Sequence, residues 1–101
     1  MADFKVRFEA RVDADLAQIS DRGTVEVILR RVLELRREPL KQGKPLRGVL
    51  KNYRSVRAAG QRYRIVYQVA VQAGQVIILV IGIRKAGDKR DAYVLAEERA
   101  K

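Results

Sequence analysis

The chain has 101 residues, 48% of them hydrophobic, with no apolar run near the length of a membrane span, so one domain over residues 1–101 is expected. It has no cysteine and no histidine, which excludes disulfides, thiolate nucleophiles and the commonest acid–base group. We therefore expect no metal and no cofactor, and any chemistry would use Lys, Arg, Tyr or carboxylates. Residues 1–12 alternate charged and apolar side chains and do not resemble a signal peptide, so a cytoplasmic protein with no membrane partner is expected.

The net charge of +10 is unevenly distributed along the chain. Asp and Glu do not occur between Glu38 and Asp88, whereas the rest of the chain has twelve acidic and twelve basic residues. The acid-free segment holds ten cations, which are Lys41, Lys44, Arg47, Lys51, Arg54, Arg57, Arg62, Arg64, Arg84 and Lys85. This segregation predicts one basic face and a polyanionic or acidic partner.

The N-terminal part of the chain predicts a strand and a helical hairpin. Apolar residues alternate with charged ones over residues 4–12, which is the period of a strand with one buried face. Asp13 is predicted to be the N-cap of a short helix that reaches about Ser20. Gly23 then breaks the chain, and Thr24 is predicted to cap a second helix.

The second helix is predicted to be amphipathic and to pack on a sheet. Its apolar stripe follows the spacing of one helix face, at Val25, Ile28, Leu29, Val32 and Leu33. The residues predicted to face water are Arg30, Arg31, Glu34 and Arg37. Pro39 is predicted to end the helix, and the turn residues at 41–45 indicate a loop.

The C-terminal half predicts three antiparallel strands and a final helix. The strands cover residues 53–58, 62–71 and 76–83, with hairpin turns at Gly60 and Gly74. The segment 76–83 is nearly all apolar, which predicts a central strand, and the final helix covers residues 92–101. The predicted fold is α+β: an N-terminal strand, a two-helix hairpin, a three-stranded antiparallel meander and a short C-terminal helix, with a single layer of helices on a curved sheet.

A series of short motifs resembles the RelE/ParE superfamily of bacterial toxins. The motifs are Glu-Pro at 38–39, Gly-Lys-Pro-Leu-Arg-Gly at 43–48, Tyr-Arg at 53–54, Tyr-Arg-Ile-Val-Tyr-Gln-Val at 63–69, and an apolar strand that leads into a basic loop and Tyr93. They occur in order over essentially the whole chain. The resemblance implies the toxin of a type II toxin–antitoxin pair, whose cognate antitoxin covers the basic groove and provides the route to operator DNA.

Within this superfamily the chain resembles RelE-like members, which cleave mRNA in the ribosomal A site without a metal. Their catalytic set includes an arginine on the third strand, a basic residue after the last strand and a tyrosine that opens the C-terminal region. The matching residues here are Arg64, Arg84 or Lys85, and Tyr93, with Arg54 or Arg57 at the lysine positions of the family. The cations assigned to RNA or ribosome binding are Lys41, Lys44, Arg47, Lys51, Arg62, Lys89 and Arg90.

The reaction that the resemblance implies is attack of an mRNA 2′-hydroxyl on the adjacent phosphorus. Arginine forks suit phosphate oxygens, so the candidates for charge stabilisation are Arg54, Arg57, Arg64 and Arg84. An acid-free basic pocket disfavours protonated lysine and favours phenolate, so Tyr93 and Lys85 are the candidate bases. On their apolar strand face, Tyr63 and Tyr67 are predicted to be core residues. Two alternatives remain open: a ParE-like inhibitor of DNA gyrase, and an inert toxin homologue that acts as a corepressor with its antitoxin.

Overall fold

The computed structural model describes residues 3–101, so Met1 and Ala2 of the predicted domain lie outside the described residues. The strands are β1 (Lys5–Phe8), β2 (Lys44–Pro45), β3 (Arg54–Ala58), β4 (Tyr63–Ala70) and β5 (Gln75–Ile83). The α-helices are α1 (Val12–Ala17), α2 (Arg22–Glu34) and α3 (Ala92–Arg99), and short 3-10 turns lie at Pro39–Lys41 and Gly48–Leu50. The predicted α+β class and the order of its elements are confirmed.

The strands form one sheet in the order β1-β5-β4-β3-β2, so β5 is a central strand as predicted. β1 runs parallel to β5, and the other neighbours are antiparallel. The predicted loop at 41–45 is wrong in part, because Lys44 and Pro45 pair with β3. Gly43 permits this pairing, since a Cβ at this position would overlap the carbonyl oxygen of Ser55.

Helices cover both faces of the sheet. On one face α1 and α2 pack over a cluster that includes Ile28, Val32, Ile65 and Ile78. On the other face α3 packs over a cluster that consists of Leu50, Val66, Leu79, Val80, Ala92 and Ala96. The predicted single layer of helices therefore describes only α1 and α2, since α3 lies on the opposite face. The reason is that β5 is apolar on both faces, and a strand of this kind needs cover on each side.

The start of each hairpin helix differs from the prediction. α1 begins at Val12, so Asp13 lies inside its first turn and is not the N-cap, and the helix ends at Ala17. The N-cap of α2 is Asp21, whose carboxylate accepts hydrogen bonds from the Thr24 amide at 3.1 Å and the Thr24 hydroxyl at 2.6 Å. Asp ranks above Thr as an N-cap, so the helix starts one turn earlier and takes in Gly23.

The buried stripe of α2 also differs from the prediction near its C-terminal end. Leu33 is 50% exposed, whereas Leu35 at the C-cap is fully buried. Pro39 does not end the helix, which stops at Glu34; instead Pro39 opens a 3-10 turn. Glu38 takes a left-handed φ of 49°, a region that a residue other than glycine rarely adopts.

An ion pair ties α1 to α3 across the end of β5. The carboxylate of Asp15 accepts hydrogen bonds from the Arg99 guanidinium at 2.7 and 2.8 Å and from the backbone amide of Ile81 at 3.0 Å. Both side chains are nearly buried, at 6% and 9% exposure. The hydrogen bond to Asp15 is the main reason that the pKa of Arg99 is raised. α1 thereby covers the edge of β5 where β1 has ended.

No helix within residues 3–101 has both the length and the apolar composition that a membrane span requires.

Candidate functional site

Two arginines lie directly opposite each other on the sheet face that carries α3. Arg57 of β3 pairs with Arg64 of β4, and Arg64 pairs in turn with Gly82 of β5. Like charges in this position destabilise a sheet. Among residues 3–101, no carboxylate lies within ion-pair distance of either guanidinium. The arrangement costs stability in the unbound protein and provides two arginine forks for an anion.

Within residues 3–101, Arg64 is held in place by backbone carbonyls alone. Its guanidinium donates to the carbonyl oxygen of Gln61 at 2.7 Å and to that of Tyr63 at 3.2 Å. These bonds orient the side chain without neutralising its charge. Arg57 is exposed beside it.

The hydroxyl of Tyr93 reaches the same sheet face. Tyr93 is the second residue of α3, and its hydroxyl oxygen lies 3.0 Å from Oγ of Ser55, which is buried on β3. The first turn of α3 can approach the sheet this closely because Gly82 has no side chain, and a Cβ there would lie 3.3 Å from Cα of Ala92. Ser55 and Arg57 are two apart on one strand, so the hydroxyl pair lies on the same face as the arginines.

Asp91 organises the segment between β5 and α3. Its carboxylate is 3% exposed and accepts hydrogen bonds from Arg84 Nη1 at 2.8 Å, the Lys85 amide at 2.6 Å and the Tyr93 amide at 3.0 Å. Burial raises the pKa of Asp91, but these hydrogen bonds together outweigh it, so its pKa is lowered and the group stays ionised. Asp91 is also the N-cap of α3.

The structure distinguishes Arg84 from Lys85, the two candidates for the basic residue after β5. The guanidinium of Arg84 lies 5.0 Å above the ring of Tyr93, within the range of a cation–π interaction. The ammonium of Lys85 extends into solvent, 4.0 Å from Asp88. Arg84 is therefore the basic residue that lies at the tyrosine.

The structure also separates Arg54 from Arg57. Arg54 lies on the hairpin side, where it donates to the carbonyl oxygens of Gln42 at 2.9 Å and Gly43 at 3.4 Å. Tyr67 is fully buried beside it, as predicted, with its hydroxyl 2.8 Å from the carbonyl oxygen of Pro39 and 2.9 Å from that of Gln42. Burial raises the pKa of Tyr67. The side chain of Arg54 thus fastens a loop on the face opposite Arg57 and Arg64, and the structure does not bring it together with them.

A groove of about 350 Å³ runs along β3 where β2 has ended. It is lined by Arg31, Gly43, Lys44, Ser55, Val56, Arg57 and Arg64. The structure therefore brings Lys44, Arg57 and Arg64 together beside the Ser55–Tyr93 pair. We call this surface the β3 groove.

The other predicted RNA-binding cations are spread around the molecule. Lys41 pairs with Glu38 at 3.0 Å, and Arg90 lies 3.7 Å from Asp88. Arg62 lies 5.9 Å from the centroid of Tyr63 and lines a different cavity, between α1 and α3. The cations with exposed positions on loops and turns are Arg47, Lys51 and Lys89.

Three residues of the site were not predicted from the sequence, namely Arg31, Ser55 and Asp91. Ser55 could have been found, because period-two alternation places it on the same face as Arg57. Asp91 directly precedes a run of helix formers, which is the position of an N-cap. Arg31 carried no such signal, since it lies outside the acid-free segment. No group of three or more carboxylates among residues 3–101 is arranged to hold a metal ion.

A sheet with a helical hairpin on one face, and cations beside a C-terminal helix on the other, defines a small α+β protein with a basic surface. The family model of the ParE toxin of type II toxin–antitoxin systems matches residues 6–90. The chain belongs to this family, and so to the RelE/ParE superfamily, as the toxin component of a type II system.

Solved structures agree with this membership. A chain of the RelBE2 toxin–antitoxin complex from Mycobacterium tuberculosis is 30% identical with a TM-score of 0.73, and the match covers 83% of this chain and 94% of that one. A double arginine-to-alanine mutant of Escherichia coli toxin RelE in the free state is 22% identical with a TM-score of 0.75, and 98% of each chain is covered. The same mutant toxin in complex with a peptide of antitoxin RelB is 21% identical with a TM-score of 0.71, covering 88% of this chain and 90% of that one. Curated protein sequences gave no match.

Proposed function

We propose that this toxin is a ribosome-dependent endoribonuclease that cleaves mRNA in the ribosomal A site. The observation that carries the proposal is the position of the Tyr93 hydroxyl, 3.0 Å from Ser55 Oγ and on the sheet face of Arg57 and Arg64. A group that can exchange a proton and two forks that can bind phosphate are what phosphoryl transfer without a metal requires.

In the proposed reaction, the 2′-oxygen of one nucleotide attacks the adjacent phosphorus and the bond from phosphorus to the 5′-oxygen breaks. The products are a 2′,3′-cyclic phosphate and a 5′-hydroxyl, and the proton lost by the 2′-hydroxyl is balanced by one gained by the 5′-oxygen. Tyr93 exchanges the proton of the 2′-hydroxyl. Arg57 and Arg64 bind the non-bridging oxygens, where negative charge develops. Arg84 lies over the ring of Tyr93 and places a fixed positive charge beside the reacting groups.

The ribosome supplies what an open surface lacks. Arg57 is exposed, and the β3 groove is open to solvent, so the protein alone holds an RNA strand loosely. Proper orientation of the 2′-oxygen behind the phosphorus accounts for much of the barrier in such reactions. We expect mRNA that is fixed in the A site to be cut far faster than free RNA.

The proposed protein partner is a cognate antitoxin. The relatives described above include a toxin–antitoxin complex and a toxin bound to an antitoxin peptide. An antitoxin segment with acidic residues would complement the cations of the α3 face. Contact with operator DNA would then be made by the antitoxin.

A gyrase inhibitor is the second candidate, because the matching family model is that of the ParE toxin. Such a protein would need a binding surface for gyrase and no proton-transfer group. The Ser55–Tyr93 pair beside two unneutralised arginines favours the ribonuclease.

The test is primer extension on a reporter mRNA after induction of the toxin without antitoxin. Cuts should appear within translated codons and disappear when translation of the reporter is blocked. Arg64→Ala should remain folded and cut at least about a hundredfold less, because it loses a contact to the transition state. If no cuts appear and the purified protein blocks gyrase supercoiling, the ribonuclease proposal is wrong.

A further inference from the structure

The β3 groove is cationic from both sides of the sheet. Arg57 and Arg64 reach it from the α3 face, whereas Arg31 reaches it from α2 on the opposite face. β2 pairs with Arg54 and Ser55 alone, so in the described chain the outer edge of β3 beyond Ser55 has no neighbouring strand. The groove therefore continues from the Ser55–Tyr93 site around the edge of the sheet.

Arg31 is held toward this groove by a network at the C-terminal end of α2. Its guanidinium donates to Gln42 Oε1 at 2.8 Å and to Glu34 Oε1 at 3.2 Å. The amide of Gln42 is itself fixed, since it donates to the backbone carbonyls of Glu34 at 2.9 Å and Arg37 at 2.7 Å. The side chain of Arg31 is 26% exposed. A residue predicted to point into water is thus partly buried and oriented.

Lys44 is fixed in the groove by the backbone. It pairs with Ser55 across β2 and β3, and directly paired residues lie on the same face of a sheet. Gly43 allows this approach with a left-handed φ of 64° and no side chain. The carboxylate of Glu34, 64% exposed, is the one acid of residues 3–101 that pairs with a cation of this groove. Solvent screens that pair strongly.

We propose that the β3 groove binds a phosphodiester of the RNA strand next to the one that is cleaved, and that Arg31 and Lys44 are the residues that hold it. This inference rests on the proposed ribonuclease function. The lining favours a nucleic-acid backbone over a protein segment, because Val56 is the one apolar side chain on it. A peptide would need apolar pockets to bind tightly. Arginine forks on both sides of an open edge suit a strand that carries a phosphate at every step.

The experiment measures binding of a fluorescently labelled single-stranded RNA of mixed sequence to the full-length toxin over a range of salt concentrations. Arg31→Gln should weaken binding roughly tenfold, as expected for one charged hydrogen-bonding contact. It should also lower the slope of log affinity against log salt by about 0.7, the value for one phosphate contact on a single strand. Arg31→Lys keeps the charge and loses the guanidinium fork, so its RNA affinity should lie between those of the wild type and Arg31→Gln.

The matched control is Arg22→Gln, the same change at the first residue of α2. Arg22 lies nine positions earlier in the sequence, about 13 Å along the helix axis, so it should leave the slope unchanged. Circular dichroism spectra and urea midpoints establish that each variant is folded. The inference is wrong if Arg31→Gln and Arg22→Gln bind RNA alike, if the wild type shows no RNA binding at low salt, or if Arg31→Gln weakens antitoxin binding alone.

Primer extension separates this inference from the proposed function. Arg31→Gln should still cut at the same codons as the wild type. It should need a higher ribosome concentration for half-maximal cleavage, and its rate at saturating ribosomes should change little, because Arg31 binds a phosphate away from the reacting one. A wild type that binds RNA through Arg31 but never cuts would contradict the ribonuclease and leave the groove as a nucleic-acid site.

Discussion

Ser55 and Tyr93 join β3 to α3 through hydroxyl oxygens that lie 3.0 Å apart, across 38 positions of sequence. Ser55 is buried and cannot turn freely, so the bond fixes the direction of the phenol ring. Arg84 lies 5.0 Å above that ring and is itself held by Asp91. The position of the phenol thus depends on contacts to both the strand and the segment before the helix.

Tyr93→Phe should remove most cleavage activity while the protein stays folded. The ring and its contact with Arg84 are kept, and the group that exchanges the proton is lost, so we expect a decrease of at least about a hundredfold at saturating ribosomes. Primer extension with purified components measures it. Tyr53→Phe is the control, because Tyr53 packs beside the same cluster under α3. Full activity in Tyr93→Phe would limit Tyr93 to a structural role.

Arg57→Thr should make the protein more stable and less active. The change relieves the repulsion from Arg64 across the strands and introduces a good strand residue, which is expected to add about 0.2–1 kcal/mol to the free energy of unfolding. Urea unfolding measures the difference. Arg7→Thr on β1 is the control, since Arg7 pairs with Ile77 and has no opposing charge. A loss of stability specific to Arg57→Thr would mean that the arginine has a structural partner.

Asp91→Asn should destabilise the protein at neutral pH and much less in acid. Asparagine still caps α3, but Arg84 loses its carboxylate, at a cost of about 1–2 kcal/mol because Arg84 is 37% exposed. The pKa of Asp91 is lowered in the folded state, so its contribution is present above about pH 4, the unfolded value, and is lost as the pH falls through the folded pKa.

Urea unfolding of both proteins at pH 7 and near pH 3 tests this. The gap between wild type and Asp91→Asn should shrink at the lower pH. Asp13→Asn, an exposed position in the first turn of α1, serves as the control and should show little gap at either pH. A gap that is equal at both pH values would argue against an ionised Asp91.

Tyr67→Phe should destabilise the protein by about 1–3 kcal/mol below pH 10, because the buried carbonyl oxygen of Pro39 loses its donor. Burial raises the pKa of Tyr67 in the folded state. The stability that this group contributes is therefore present below the unfolded pKa near 10 and is lost as the pH rises through the folded pKa. The difference in the free energy of unfolding between wild type and Tyr67→Phe should be smaller at pH 11 than at pH 8. A difference that grows as the pH rises would contradict a buried, neutral hydroxyl at Tyr67.

Strand patterns predicted most of this fold correctly because alternation depends on the nearest neighbours in the chain. β4 and β5 appear within a residue or two of their predicted bounds, and Gly60 and Gly74 take the left-handed φ values of their turns. The cover on the second face was not predicted. The inward residues Val66 and Val80 could have indicated it, but a short amphipathic tail does not state which face it covers.

Sequence could not place the residues whose position depends on a bulge or on a distant partner. The register of β4 and β5 shifts between Val66 and Tyr67, so Leu79 and Val80 both pack under α3. Alternation counted along β5 would have divided them between the faces. Arg31 reaches the β3 groove through Gln42, eleven positions away, and no local periodicity encodes that contact.

The ion pair between Asp15 and Arg99 makes the C-terminal helix protect the edge of β5 that β1 leaves open. The pair lies where α1 covers β5, and the carboxylate of Asp15 also accepts a hydrogen bond from the backbone amide of Ile81. A premature stop that removes Arg99 would leave a nearly buried carboxylate without its counter-charge, and α1 would be driven off toward water. The open edge of β5 could then pair with a strand of another chain. Loss of Arg99 and the residues that follow it should therefore show itself first as aggregation during synthesis.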